Sequence, residues 1–247
     1  MKSYRLHIPP DGKIILSVAP RVHHPDPYAN TVASAIRVRR GDRVLDIGCG
    51  AGGYGLSTAM RGAGEVVLTD IEPAAVACAL RNAEQNGIRH VDGRVGSLFG
   101  PVRGERFDII ITTLPQLPAP RPILAARYGG SDGLMYLRRL AEKAGNYLTP
   151  GGRLYLLITD WAWPPRVMPL FKRRGFTLRR MARIERPFQP AEYDAFSQGL
   201  FSYLDGRVQR GLAQYRRNGP WCYLGVSFFE AKMNGHSSRT KKTHPLE

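Results

Sequence analysis

Cysteine is scarce in this 247-residue chain: there are three, Cys49, Cys78 and Cys222. They lie too far apart for a Cys-x-x-Cys metal motif, and their odd number excludes a disulfide framework as the organising device. The six histidines offer one close pair, His23 and His24. Adjacent side chains project in different directions from a regular backbone, so no metal site is expected. No apolar run reaches the roughly 18 residues that a membrane-spanning helix needs, and the start, MKSYRLHIPPDGK, lacks an apolar signal-peptide core. A cytoplasmic address is the expectation. Acidic residues are also few: 20 Asp and Glu face 36 Lys and Arg, a net charge of +16.

That excess is unevenly spread. Residues 1–40 carry seven basic residues against two acids and residues 161–220 twelve against four, whereas 41–160 are nearly balanced at thirteen against twelve. If the middle of the chain holds a cofactor, the basic flanks are where an acidic partner would be met. The densest basic run, FKRRGFTLRRMARIER over residues 171–186, invites a nucleic-acid reading, but no recognised RNA-binding module accompanies it, and charge runs are commonly solvated faces.

A hydrophobic content of 43% with 23% charged residues fits a globular chain with one sizeable core. YRLHI and KIILSV flank Pro9-Pro10-Asp11-Gly12, which reads as a hairpin; a helix is expected across Pro27 to Val38. Then strands and helices alternate. RVLDIG precedes a helix from Gly53 to about Arg61; EVVLTD precedes one from Pro73 to about Asn86; RHVDGRVG, FDIIITT and RLYLLIT continue the strands as nearly unbroken apolar runs of the kind buried in parallel sheets. Leu134, Leu137, Leu140, Ala144 and Leu148 recur at steps of three and four, predicting a helix that stops at Pro150-Gly151-Gly152. A ragged strand near Phe176 to Pro187, a helix within Ala191 to Gln214 and a final strand, CYLGVSFFEA, follow. The expected fold is α/β: a doubly wound, Rossmann-like sheet of seven strands with an antiparallel last strand. Residues 1–40 form a hairpin and cap helix, 41–232 the main domain with a helical insertion at about 188–220, and 233–247 a flexible basic tail.

The chemistry concentrates in VLDIGCGAGGYG, residues 44–55. Gly48, Gly50 and Gly52 allow a sharp turn between strand and helix and let a ligand approach the backbone closely. A Gly-x-Gly-x-x-Gly pattern alone does not choose between cofactors. Asp46 does, because a carboxylate there repels a dinucleotide pyrophosphate and suits a ligand bearing a sulfonium and an ammonium. Asp70, closing VVLTD, is placed to accept hydrogen bonds from both ribose hydroxyls. S-adenosylmethionine, leaving as S-adenosylhomocysteine, is the expected cofactor.

The stretch Val44 to Gly87 resembles the cofactor half of class I methyltransferases, in particular the HemK-like family that methylates release-factor glutamines. RVHHPDPYANTVASAI resembles that family's upstream helix, SLFGPVRGERFDIIITTLPQLP its next two motifs, and YGGSDGLMYLRRLAEKAGNYLTPGGRLYLLI its GGxDGL helix and strand. The likeness runs from Val22 to Asp160. It implies a methyltransferase whose cofactor contacts include Cys49, Ile71, Ser97, Leu98 and Thr113 as well as the residues named above.

Two positions depart from the family. Thr113-Leu114-Pro115-Gln116 stands where the family has Asn-Pro-Pro-Tyr, and a threonine hydroxyl cannot match the paired donor and acceptor of an amide. Ser97 stands where an acid commonly binds the adenine amino group. The expected acceptor is therefore a small polar metabolite, anionic ones included, methylated on nitrogen or oxygen. The alternatives are a translation-related protein or RNA, and a catalytically silent cofactor-binding protein. Thr113 and Gln116 are the candidates for acceptor positioning, with Leu114, Tyr128, His24 and Tyr28 lining the acceptor pocket; both tyrosines could equally serve as packing. The aromatics at Phe188, Tyr193, Phe196, Phe201 and Tyr203 suit either a lid or a packed helix stripe. Oligomeric state is not readable.

Overall fold

The strands at the centre of the chain are apolar on both faces, a composition suited to a sheet covered on both sides. The computed structural model describes residues 2–8, 12–20 and 22–234. The turn at 9–11 and the tail from 235 onward lie outside the described residues. In chain order the elements are β1 (Lys2–Ile8), β2 (Gly12–Val18), α1 (Ala29–Ala35), β3 (Arg43–Ile47), α2 (Gly53–Met60), β4 (Glu65–Asp70), α3 (Pro73–Gln85), β5 (Val91–Val95), β6 (Phe107–Thr112), α4 (Met135–Lys143), β7 (Leu148–Thr159), α5 (Pro164–Lys172), β8 (Phe176–Phe188), α6 (Pro190–Asp194), α7 (Leu200–Gln209), β9 (Arg216–Asn218) and β10 (Trp221–Met233).

The main sheet runs β5-β4-β3-β6-β7-β10-β8. Its first five strands are parallel, and β10 enters antiparallel between β7 and β8. The three-residue β9 pairs with the start of β10, Trp221 to Tyr223, beside the stretch that β7 does not reach, and makes this sheet eight-stranded rather than seven. One face is covered by α4 and α5 over Leu45, Phe107, Ile110, Leu154 and Phe171. The other is covered by α1, α2, α3 and the β1-β2 hairpin over Val44, Leu56, Val66, Ile109 and Phe228.

Three elements depart from the sequence reading. The N-terminal helix is short, because Ile36 is already extended. The leucine stripe does not continue as one helix. After α4 a single 3-10 turn, Ala144–Tyr147, tightens the chain, and Leu148 opens β7, which passes through Pro150-Gly151-Gly152. Burial explains the misleading period: all five residues of the stripe are in the core, but Leu148 reaches it from a strand. Helix α5 was hidden by its prolines, which read as breakers although Pro164 and Pro165 occupy the first turn, where no backbone donor is needed.

The hairpin is clamped to α3 by side-chain amides rather than by another strand. Asn82 Oδ1 accepts from Ser17 N at 2.9 Å, and one helical turn on, Asn86 exchanges two bonds with Ile15, N–H to Oδ1 at 2.9 Å and Nδ2 to O at 2.8 Å. Two amides at i and i+4 share one helix side, so they satisfy the edge of β2 as a partner strand would.

Of the aromatics in the 188–220 segment, Phe188, Tyr193 and Phe201 are core, and Phe196 and Tyr203 pack half-buried against them. Phe188 and Tyr193 are buried with Trp161 and Leu204, and this cluster holds Leu117, Ala119 and Tyr128 of the loop that follows β6. Tyr193 accepts a hydrogen bond from Trp161 Nε1 at 2.8 Å. The basic run 171–186 is partly neutralised in the same region: Arg183 clasps Asp160 through two bonds of 3.0 and 2.7 Å, Arg179 meets Glu230 at 3.0 Å, and Arg186 meets Glu192 at 3.3 Å.

Candidate functional site

Beyond the C-terminal end of β3 the chain turns sharply into α2. Gly48, Gly50 and Gly52 have φ of 74°, 54° and 87°, left-handed conformations that other residues adopt only under strain. The loop is tied down on its inner side. Gly48 N and Cys49 N both donate to Thr69 O, at 2.8 and 3.0 Å, and the buried Asn82 Nδ2 donates to Ala51 O at 2.9 Å. A Cβ on Gly50 would lie 3.4 Å from His23 O, because the segment leading into α1 crosses directly over the loop.

The two acids have different tasks. Asp70 accepts from Gly50 N through Oδ2 and from Glu72 N through Oδ1, both at 3.0 Å, so its carboxylate is oriented at the rim with lone pairs to spare. Asp46 lies beneath the loop, where Oδ2 accepts from Gly55 N in the first turn of α2 at 2.8 Å. Its burial pushes its pKa up to about 7, against the lowering influence of that bond, and the nearby Asp70 adds to the rise. Asp46 does not line the cavity; its carboxylate holds the first turn of α2 beneath the loop.

The cavity above the loop encloses about 220 Å³. Of the residues named from the sequence it gathers Gly48, Cys49, Gly50, Asp70, Ile71, Ser97, Leu98, Thr113, Leu114 and His24. Gly52 is not at its surface: it starts α2 and packs against Ala79, whose Cβ would be 3.0 Å from a Cβ on Gly52. Gln116 is likewise absent from the lining. It is buried, with Nε2 donating to Leu157 O at 2.7 Å and Oε1 accepting from Thr159 N at 2.9 Å, so it fastens the loop after β6 to β7. Tyr128 bridges to Leu117 and packs on the aromatic cluster, and Tyr28 caps α1 from a half-buried position; neither lines the cavity. Both tyrosines pack against neighbouring hydrophobic clusters, and both ends of the Gln116 amide, expected in acceptor positioning, are engaged by β7 instead of facing the cavity.

Asp26, Tyr54, Glu72 and Tyr136 line the cavity and were not foreseen. Glu72 could have been read from its place two residues after Asp70. Tyr136 is out of phase with the leucine stripe of α4, and Asp26 reaches the site only because the N-terminal segment folds back; no local pattern announces that. Among the described residues the formal charges on the lining are all acidic, Asp26, Asp70 and Glu72, and no lysine or arginine lines it. His24 stacks on Tyr4 with ring centroids 5.7 Å apart. Among the described residues no group of three His, Cys, Asp or Glu could hold a metal ion, and no helix is long and apolar enough to cross a membrane.

With this geometry in view, comparison with known proteins is informative. Residues 22–169 match the methyltransferase small domain family. A release factor glutamine methyltransferase of Geobacter sulfurreducens is 38% identical over 145 residues, 54% of this chain and 50% of that protein. A provisionally named protein N5-glutamine methyltransferase of Methanocaldococcus jannaschii is 31% identical over 183 residues, 71% of this chain and 91% of its own length. The chain thus spans about half the length of most of the curated relatives it matches. In fold it is similar to the T. thermophilus 16S rRNA N2 G1207 methyltransferase solved with AdoMet and guanosine, at a TM-score of 0.57 and 19% identity, over 91% of this chain and 49% of that one.

Proposed function

The chain belongs to the methyltransferase small domain family, and from that premise we propose that it transfers the methyl group of S-adenosylmethionine to a side-chain nitrogen of a protein. The cofactor half of the reading is supported by fit. Among the described residues the lining carries three carboxylates and no lysine or arginine, a field that favours a ligand carrying a sulfonium and an ammonium, and the positive-φ glycines leave the backbone open to close approach. Asp70 would hold the ribose hydroxyls, and Ile71, Ser97 and Leu98 the adenine. When bound, S-adenosylmethionine supplies an electrophilic methyl carbon, so alignment and exclusion of water carry the rate and no strong base is required.

The acceptor half rests on the same lining. An anionic metabolite, expected from the net charge, would meet three acids and, among the described residues, no lysine or arginine, so the described lining gives it no support. The loop after β6 contributes Thr113, Leu114, Pro115, Ala125 and Ala126, a mostly apolar wall suited to an uncharged side chain entering from a partner. Thr113 Oγ1 would accept a single N–H hydrogen bond from the acceptor nitrogen, replacing the paired recognition of an asparagine. The named activities of the relatives, methylation of release-factor glutamine, agree with this class.

The test incubates the protein with methyl-labelled S-adenosylmethionine and a lysate divided into small-molecule, RNA and protein fractions, with Asp70→Ala as the control. Label should enter the protein fraction and disappear in the control. Label confined to small molecules or RNA would overturn the acceptor class. Tight cofactor binding with no label anywhere would make the chain a silent binder, and failure to bind the cofactor would overturn the whole reading.

A further inference from the structure

A second recess, of about 320 Å³, begins where the first cavity ends. The two share Ser97 and Leu98, and the second is completed by Phe99, Gly100 and Tyr147 with three cations, Arg103, Arg139 and Lys143. No acid lines it. Among the described residues none of the three cations is paired with a carboxylate, and all three are exposed. Arg139 and Lys143 sit one turn apart on α4, and Tyr136, a turn before Arg139, lines the first cavity. One side of α4 therefore leads from the cofactor cavity into the basic recess. Leu98, in the wall common to both, holds a φ of 50°, a left-handed conformation costly for a branched side chain and concentrated at functional sites.

The same sign of charge continues outward. Arg174, at the end of α5, lies 3.9 Å from Glu142 of α4, and Lys172, Arg173 and Arg174 are all exposed. Arg174 thus brings the exposed run 172–174 next to α4, whereas the β8 part of the basic run is largely occupied by Asp160, Glu230 and Glu192. A lone carboxylate would need one guanidinium. A recess lined by three cationic groups, with further exposed cations at the end of the neighbouring helix α5, fits a ligand with tetrahedral oxyanions repeated along a chain.

We propose that Arg103, Arg139 and Lys143 form a phosphate cradle by which the protein docks an RNA backbone beside its cofactor cavity. RNA is a docking partner in this inference and not the methyl acceptor, so it stands independently of the acceptor proposed above. Phosphates seated in the cradle displace condensed counterions, which makes the association steeply salt-dependent and sequence-tolerant.

The test measures fluorescence anisotropy of a mixed-sequence single-stranded 20-nucleotide RNA between 50 and 300 mM salt, a series chosen for the counterion slope. The triple variant Arg103→Gln/Arg139→Gln/Lys143→Gln is compared with Arg5→Gln/Arg81→Gln/Arg89→Gln, which removes the same charge from exposed positions elsewhere. At about 0.7 in slope per phosphate contact, the cradle variant should lose about 2 from the log–log salt slope and about a hundredfold in affinity at 0.1 M salt. The control variant should stay close to wild type, and S-adenosylmethionine binding by calorimetry should be unchanged in both. Equal losses in the two variants would reduce the effect to diffuse charge and overturn the site. Absence of RNA binding by wild type, or displacement of RNA by poly-glutamate at equal phosphate and carboxylate concentration, would overturn the partner class.

Discussion

Asn82 joins two parts of the molecule that the site requires together, the hairpin and the glycine loop. Its side chain is fully buried; it receives Ser17 N on one side and donates to Ala51 O on the other, each at 2.9 Å. Asn82→Ala would leave a donor and an acceptor without partners. Each orphaned buried group costs about 1–3 kcal/mol, and because Ser17 N is only part-buried the sum should fall at about 2–4 kcal/mol. Asn82→Asp separates the halves: the carboxylate still accepts from Ser17 N but faces the Ala51 carbonyl with no proton to offer. Urea unfolding should report the stability loss in both variants. Native-state hydrogen exchange should show Ser17 deprotected in Asn82→Ala and protected in Asn82→Asp. Calorimetry should show S-adenosylmethionine binding weakened roughly tenfold in both, about 1.4 kcal/mol, because Ala51 follows Gly50 in the loop. If Asn82→Asp kept wild-type stability and cofactor affinity, the coupling argued here would be refuted.

Three further outcomes follow from the same geometry. With its folded pKa pushed up to about 7 from an ordinary 3.8, Asp46 makes the folded apo-protein bind more protons than the unfolded chain between those values, so its contribution to stability is present at acid pH and is lost as pH rises towards 7, an effect on the order of 4 kcal/mol. The carboxylate is the form that attracts a sulfonium, so S-adenosylmethionine affinity measured by calorimetry should rise from pH 6 to pH 8 in wild type and stay flat in Asp46→Asn. Gln116→Ala should cost about 2–4 kcal/mol in a urea melt while cofactor affinity is retained, since its amide serves Leu157 O and Thr159 N; unchanged stability with abolished turnover would restore it to the acceptor site. Gly55→Ala would press a methyl against the Leu68 side chain and to 3.1 Å from Asp46 Oδ2; the overpacking, about 1–3 kcal/mol, exceeds the helix-propensity gain of about 1 kcal/mol and should appear as a lowered thermal midpoint.

The cofactor side of the site was legible because its rules are local. Positive φ at Gly48, Gly50 and Gly52 is a property of single residues, and a carboxylate ending a strand, as Asp70 does, is placed by the strand itself. The acceptor side was not legible, because its residues meet only through the fold. Gln116 looked available until β7 came alongside and engaged both ends of its amide, and Tyr128 was taken by the aromatic cluster formed with the 188–220 segment. The charge totals misled in the same way: Arg179 and Arg183 count towards +16 but have acidic partners distant in sequence, while the charged residues described in the cavity lining are acids.

Read alone, the 247 residues determined the alternation of strand and helix, the glycine loop and the sign of charge it tolerates, since backbone freedom, apolar period and ionisation belong to residues and their near neighbours. Tertiary structure alone decided which polar groups remain free. Burial and long-range partners engaged the Gln116 amide, raised the Asp46 pKa, brought Asp26 to the cavity and left Arg103, Arg139 and Lys143 without acidic partners among the described residues. A side chain's chemistry is available only when its hydrogen bonds and charges are not already satisfied, and that balance is struck by contacts between segments far apart in the chain.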